Sequence, residues 1–342
     1  MAETISQLPY PTLMSLMAEY SSTDTTGMYL KAAEVLNRRI PFMRVLPIIT
    51  SNQLFSHLGA KDSVLGSIQA RRFNEGVTPT TTKQAVFTDP IANFLDYSEV
   101  DADLYKSQPD PATWRWNQDR RKLEGARQGI ETLFFYGDIS TNPLGINGLF
   151  KRYNSLSFRP NGDASQPYNV VGASGTSSDL TSVAFIEFGE NKVYGFVPPN
   201  GTSINGLSIR DLGEQTKVDA NGKMLQVYRT MLAFYVGLGV ADDRCVQRIC
   251  NIKSTGTSNI ITDDLLIDSK NQLPEMGEAP GTFLFVPRKI KSQMEKIASD
   301  KTNANFTQER NGDGLFGTTM TYFMGIPILV ADMISTSETQ VS

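Results

Sequence analysis

Histidine is almost missing from this sequence: His57 is the only one in 342 residues, and cysteine is limited to Cys245 and Cys250. A Ser-His-Asp or Cys-His nucleophile would have to use His57, yet its FSHLG surroundings supply no partner for one. His57 is therefore read as structural. One histidine and two cysteines also make a zinc site of ordinary ligand type untenable, so no metal is expected. The cysteines fall in DDRCVQRICNI, which reads as a strand. Five residues apart, they would face opposite sides of it, outside ordinary disulfide geometry. Free, buried thiols and a reducing site of folding are the expectation.

Other absences narrow the function further. No GxxxxGK[ST] phosphate loop is present, and the GASG at 172–175 runs into TSSDLTSVAF, which looks like strand rather than helix, so it reads as a turn. Glu99, Asp101 and Asp103 alternate as calcium ligands sometimes do, but the glycine and terminal glutamate of an EF-hand are missing, which leaves a solvated strand end. No cofactor is expected. The most apolar stretch, MLAFYVGLGVA, is well short of the roughly 20 residues that span a bilayer. The first residues lack the basic start and apolar run of a secretory signal. With a net charge of −4 and a pI near 5.3, no global basic field exists to hold nucleic acid.

What is present is a foldable chain, 40% hydrophobic and 20% charged, large enough for two ordinary domains. Residues 1–47 carry scattered apolar positions, with a short helix suggested around Leu30–Leu36 before Pro41, and read as an arm without its own core. Residues 48–86 alternate β-prone pieces with Gly59, Gly66, Gly76 and Pro79, like a long two-stranded excursion that needs neighbours to cover it. Arg71, Arg72 and Phe73 in this excursion have two readings: a patch for single-stranded nucleic acid, or an intersubunit contact in which arginine pairs with carboxylates of the next chain. The acidity of the chain favours the second.

The clearest helix is PATWRWNQDRRKLEGARQGIETLFFY, with Asp110 as N-cap, Pro111 in the first turn and Gly137 past its end. Leu123, Ala126, Ile130, Leu133 and Phe134 repeat at helical spacing, whereas Arg120, Arg121, Glu124, Arg127 and Glu131 fall elsewhere. Gly125 and Gly129 would allow another backbone to approach. At about 1.5 Å per residue this helix is nearly 40 Å long, suited to a spine. Downstream the chain turns to β: TSVAFIEFG, NKVYGFVPP, KMLQVYRTMLAFYVGLGV and RCVQRICNI read as strands, with Asn221-Gly222 as a hairpin turn. Two short helices follow, one capped by Thr262, the other starting at Pro287 with Ile290, Met294 and Ile297 on one face; ERNGDGLFG is a loop, and TYFMGIPILVADMI closes the chain as a strand.

Four passages, in order, resemble a known family: ARRFNEGVTPTTTKQAVF with YSEVDADL; the spine helix running into FFYGDISTNPLGINGLF; DLGEQTKVDANGKMLQVYRTMLAFYVGLGVADDRCVQRICNI; and FMGIPILVADMISTSETQV. They are similar to the major capsid proteins of tailed bacteriophages, with the fold typified by the Hong Kong 97 shell, and among these to podovirus-like members without a fused scaffolding segment. The resemblance implies an α+β fold: an N-terminal arm at 1–47, an extended loop at 48–86, a peripheral domain at 87–158 with its spine helix at 111–136, an axial domain at 159–314, and a C-terminal strand at 315–342 returning to the core.

It further implies a non-enzymatic, self-assembling structural protein of the icosahedral virion, built in the host bacterial cytoplasm from hexamers and pentamers around double-stranded DNA that it does not bind by sequence. A portal protein, a separate scaffolding protein or none, and decoration proteins are the implied partners, and no membrane is involved. Lys61, Arg71, Arg72, Phe73 and Lys83 are the candidate intersubunit contacts. Two alternatives stand beside this reading: an encapsulin-type nanocompartment shell, which uses the same architecture, and a β-rich adhesin or enzyme.

Overall fold

The computed structural model describes residues 41–64, 66–160, 168–199, 207–299, 305–311 and 318–342. The helix expected around Leu30–Leu36 lies outside them, as do residues 312–317 of the ERNGDGLFG loop. Two compact units form, each from several chain segments.

Of the described residues, the first unit takes 41–57, then Pro90–Arg152 and Tyr194–Leu238. Helix α1 (Pro41–Val45) leads into strand β1 (Ile48–Thr50). Phe42, Met43, Val45 and Leu46 are almost wholly buried, and Phe42 stacks on Phe134 with ring centroids 4.8 Å apart. The end of the expected arm is thus part of this chain's own core, because a run of large apolar side chains finds a helix end to cover. β1 is not the start of an excursion either. It pairs in parallel with the strand Val193–Val197.

The long excursion begins later, with β2 (Ser56–Val64) and β3 (Lys83–Pro90) paired as a two-stranded sheet. β4 (Ala92–Asp101) then enters the main sheet, α2 (Ala102–Lys106) follows, and α3 (Pro111–Tyr136) is the long helix. Asp110 caps it by accepting the Thr113 N–H. Its buried stripe differs from the expected one: Asp119, Arg127 and Glu131 share it with Leu123, Ile130 and Phe134. These residues recur at three- and four-residue spacing, so the helix buries charge as well as apolar surface. Around Gly125 and Gly129 no described group outside the helix's own backbone lies within 4 Å of an added Cβ, so the approaching backbone expected there is not supplied by the described residues.

Gly137 ends α3 as expected but for another reason. Its φ is −55°, open to any residue; what demands glycine is space, since a Cβ would sit 2.2 Å from the Ile146 carbonyl oxygen. Gly148 closes against the same turn, donating its N–H to the Gly137 carbonyl at 2.9 Å, and begins the short helix α4 (Leu149–Arg152).

Downstream, β5 (Val170–Gly172), β6 (Leu180–Glu187), β7 (Val193–Val197), β8 (Leu207–Val218), β9 (Met224–Val240) and β10 (Val246–Lys253) follow. The first unit's sheet runs β1-β7-β9-β4, with β8 on β9. β8 and β9 were expected in the axial part, but β9 pairs antiparallel with β4 over ten residues, Ala92↔Val236 to Asp101↔Val227, and so joins the long helix's unit. The Asn221-Gly222 turn connects them: Gly222 has φ +78°, and the Asp219 carboxylate accepts the Asn221 and Lys223 N–H groups.

The second unit contains Leu58–Asp89, Tyr153–Val193 and Gly239–Ser342. Its remaining elements are α5 (Asp263–Asn271), β11 (Thr282–Val286), α6 (Arg288–Ala298), β12 (Phe306–Asn311), β13 (Thr318–Phe323) and β14 (Ile326–Val330). The sheet order is β12-β13-β14-β11-β6-β10-β5. Leu266 of α5 with Ile290 and Met294 of α6 joins Val183, Phe185, Ile249 and Leu284 in one core. The expected single closing strand is a hairpin, because Met324 and Gly325 both take positive φ and form a two-residue turn. Cys245 lies in a 3₁₀ turn, Asp243–Cys245, rather than in the strand; both thiols are free and buried.

Candidate subunit interface

Beyond the paired strands β2 and β3, residues 66–82 have no helix or strand, and every one of them is exposed. A tight bend forms the middle of this tip. Asn74 takes φ +68°, the Glu75 N–H donates to the Arg72 carbonyl at 3.2 Å, and Arg71 Nη1 donates to the Glu75 carbonyl at 3.2 Å. The bend projects Phe73, which is 99% exposed, and Ile68 upstream is fully exposed. Phe73 directly follows Arg71 and Arg72, with Glu75 the only acidic residue between Gly66 and Thr82. A fully exposed aromatic ring next to two cations is poorly suited to water and well suited to a partner surface with apolar and acidic groups.

Of the five expected contact residues, the structure places Arg71, Arg72 and Phe73 together at the tip and leaves Lys83 exposed at the start of β3. Lys61 is placed differently. Its ammonium lies 2.5 Å from Asp243 Oδ1, and both side chains are largely buried, 16% and 11% exposed. Tyr153 donates its hydroxyl to the same oxygen at 2.9 Å. Asn169 donates its side-chain amide to the backbone carbonyls of Asp243 and Val246. The sequence offered no sign of this seat, because Lys61 and Asp243 are 182 positions apart. Ile68 and Val77 are also exposed, and their signal in the sequence is an apolar residue inside a stretch rich in glycine, threonine and proline; Val86, which reads as a strand residue that packs, is exposed on β3.

The other candidate groups have structural surroundings. His57 packs between the rings of Tyr194 and Phe196, with centroids 5.5 and 5.0 Å away. Burial pushes the Cys250 thiol up to about 11 and raises that of Cys245 still further, which suppresses the thiolate. Glu99 is held below the usual carboxylate range by hydrogen bonds from Lys217 and Arg229, and Asp101 caps α2 through the Asp103 and Leu104 N–H groups. Among the described residues no group of three or more His, Cys, Asp or Glu could hold a metal, and no helix is long and apolar enough to cross a membrane. A cavity of about 600 Å³ beside β5 is lined by Leu156, Tyr168, Val170, Asn251, Gln272 and Val341, among others.

A long helix, a broad sheet in the second unit and an extended hairpin with an exposed tip make up an α+β fold of the Hong Kong 97 type. A family model described as Major capsid protein GP7 matches residues 24–342, so the chain belongs to that family and is a major capsid protein of the tailed-phage kind. Among solved structures it is similar to a chain of bacteriophage Epsilon15, with 23% identity over 86% of this chain and 87% of that one and a TM-score of 0.57, which shows the fold. The bacteriophage JBD30 capsid matches at 10% identity over 97% and 98% of the two chains with a TM-score of 0.49. The holo-SrpI encapsulin complex from Synechococcus elongatus PCC 7942 matches at 11% identity over 65% and 89% with a TM-score of 0.39. No curated protein matches. As a capsid protein, the chain is a component of the virion that self-assembles into a shell.

Proposed function

We propose that the chain closes an icosahedral head from hexamers and pentamers, using the loop tip at 66–82 as a strap laid on the next subunit, and that the shell encloses double-stranded DNA. The observation that carries this is the tip itself: Phe73 and Ile68 stand in full solvent on a stretch with no helix or strand of its own. An ordered chain gains nothing from exposing them unless a second copy covers them. Arg71, Arg72 and Lys83 supply cations for carboxylates on that copy, with Phe73 as the apolar anchor. Each strap is a modest contact, and closed symmetry repeats it until the sum is strong.

In this reading the first unit is the peripheral domain and the second the axial domain. The role is structural rather than catalytic. Assembly takes place in the host cytoplasm, with a portal protein at one vertex and scaffolding, where used, as a separate chain. The net charge of −4 suits a wall along which packaged DNA slides without being gripped. Replacing Arg71, Arg72 and Phe73 together by Glu, Glu and Ser tests the strap: soluble, folded subunits that no longer form shells are expected, and unchanged shells would refute it.

A further inference from the structure

The tip of the extended hairpin is uncovered, but its root is held, and Lys61 is a residue that holds it. We infer that Lys61 is a positioning residue for assembly: its ion pair with Asp243 sets the direction in which the hairpin leaves the subunit, so that the tip is already aimed when a neighbour arrives. This rests on the reading of the tip as the contact surface.

Two observations combine. The first is that the hairpin is stiffened where Lys61 sits. A Cβ on Gly59 of β2 would lie 2.3 Å from the ring of Phe87 on β3, so the outer end of the aromatic ring packs against bare backbone. The Lys61 ammonium also lies 5.1 Å from the centre of the same ring, a cation–π contact joining the two strands. The second is that Lys61 attaches the stiffened section to the second unit's core at a chemically specific point. Lys61 Nζ contacts Asp243 Oδ1 at 2.5 Å, and Tyr153, wholly buried, donates to that oxygen as well. Asn169 holds the Asp243 backbone from the other side. Asp243 therefore cannot move to follow the lysine; the lysine must come to it.

A buried ion pair of this kind contributes little net stability, because desolvation offsets most of the attraction. Its geometric demands are strict, however. An apolar contact would tolerate a rocking hairpin, whereas an ammonium over a fixed carboxylate allows one seat. Outward from Val64 and Lys83 the tip's hydrogen bonds among the described residues are local, such as Thr80 Oγ1 to the Ser67 carbonyl at 3.3 Å. A small angular change at the root is therefore carried undamped to Phe73.

The test compares Lys61→Met, the charge swap Lys61→Asp with Asp243→Lys, and the tip variant Arg71→Glu/Arg72→Glu/Phe73→Ser. In unassembled subunits, amide exchange of residues 58–64 and 83–89 should rise roughly tenfold in Lys61→Met, while the first unit's exchange is unchanged. Its yield of closed shells should fall roughly tenfold, with misclosed particles in their place, because a misaimed strap loses avidity. The charge swap should recover part of the yield, which a general packing defect would not. Unchanged exchange in the hairpin overturns the proposal and needs only soluble protein. Normal shells from Lys61→Met, when the tip variant forms none, overturn it while leaving the strap intact. Normal shells from the tip variant remove the strap and this inference together.

Discussion

Arg248 Nη2 donates to Glu338 Oε2 at 2.9 Å, and both side chains are almost entirely out of solvent. Ser182 binds both partners: it donates to Glu338 at 2.5 Å and accepts from Arg248 Nε at 3.1 Å. Three residues later, Asn251 brackets Val341 with a hydrogen bond in each direction, 2.8 and 2.9 Å long. The C-terminal segment is thereby locked onto β6 and β10. Glu338→Ala should leave the arginine without its carboxylate and cost about 3–5 kcal/mol, measured as a lowered denaturation midpoint of the unassembled subunit. A change below 1 kcal/mol would mean that the tail does not hold this position.

Phe42 is a second point of anchorage. It is fully buried, stacked on Phe134 and edge-on to Phe135 at 5.4 Å. Phe42→Ala should cost about 3–5 kcal/mol in the isolated subunit. Were residues 41–47 part of an arm that packs only on other chains, the monomer's stability would not respond.

The extended tip should behave in the opposite way. Lacking intrachain contacts to lose, Phe73→Ser should change monomer stability by no more than about 0.5 kcal/mol, read by urea titration, while reducing shell yield. A large monomer effect would place the ring in a core after all.

Two carboxyls give opposite pH dependences. Hydrogen bonds from Ser140 and Lys151 hold Asp138 down to about 2, against an ordinary value of 3.8. Its contribution is present above 3.8 and disappears as the pH falls toward 2. Asp119, buried on α3, is raised by burial, with hydrogen bonds from Ser98 and Thr230 and the nearby Arg115 opposing. Its contribution is full below 3.8 and is lost as the pH rises through its elevated value. Asp119→Asn should therefore flatten the melting temperature against pH above 3.8, and Asp138→Asn should flatten it below. Unaltered profiles would show that neither group is perturbed.

The parts of the fold legible in the sequence were those with local causes. Asp110 and Pro111 mark a helix start through backbone hydrogen bonding, Thr262 does the same for α5 by accepting the Leu265 N–H, and Asn221-Gly222 marks a turn through the φ that Gly222 adopts. Burial of Asp119, Arg127 and Glu131 was not legible, since apolar periodicity assigns charged residues to solvent. Nor was the allegiance of β9, whose ten-residue pairing with β4 is a long-range choice that strand propensity does not encode. For the interface, exposure of Arg71, Arg72 and Phe73 followed from a stretch with too little apolar content to cover itself. The seat of Lys61 did not, because the buried carboxylate is far along the chain and looks, in sequence, like any other aspartate.

The most direct measurement is the size of the purified protein under assembly conditions, by light scattering on a sizing column and electron microscopy of the peak. A capsid protein of this family should give closed icosahedral particles in the megadalton range, with pentamers and hexamers as intermediates. A protein that stays a monomer or small oligomer at every concentration and ionic strength, while fully folded, would contradict self-assembly as its function.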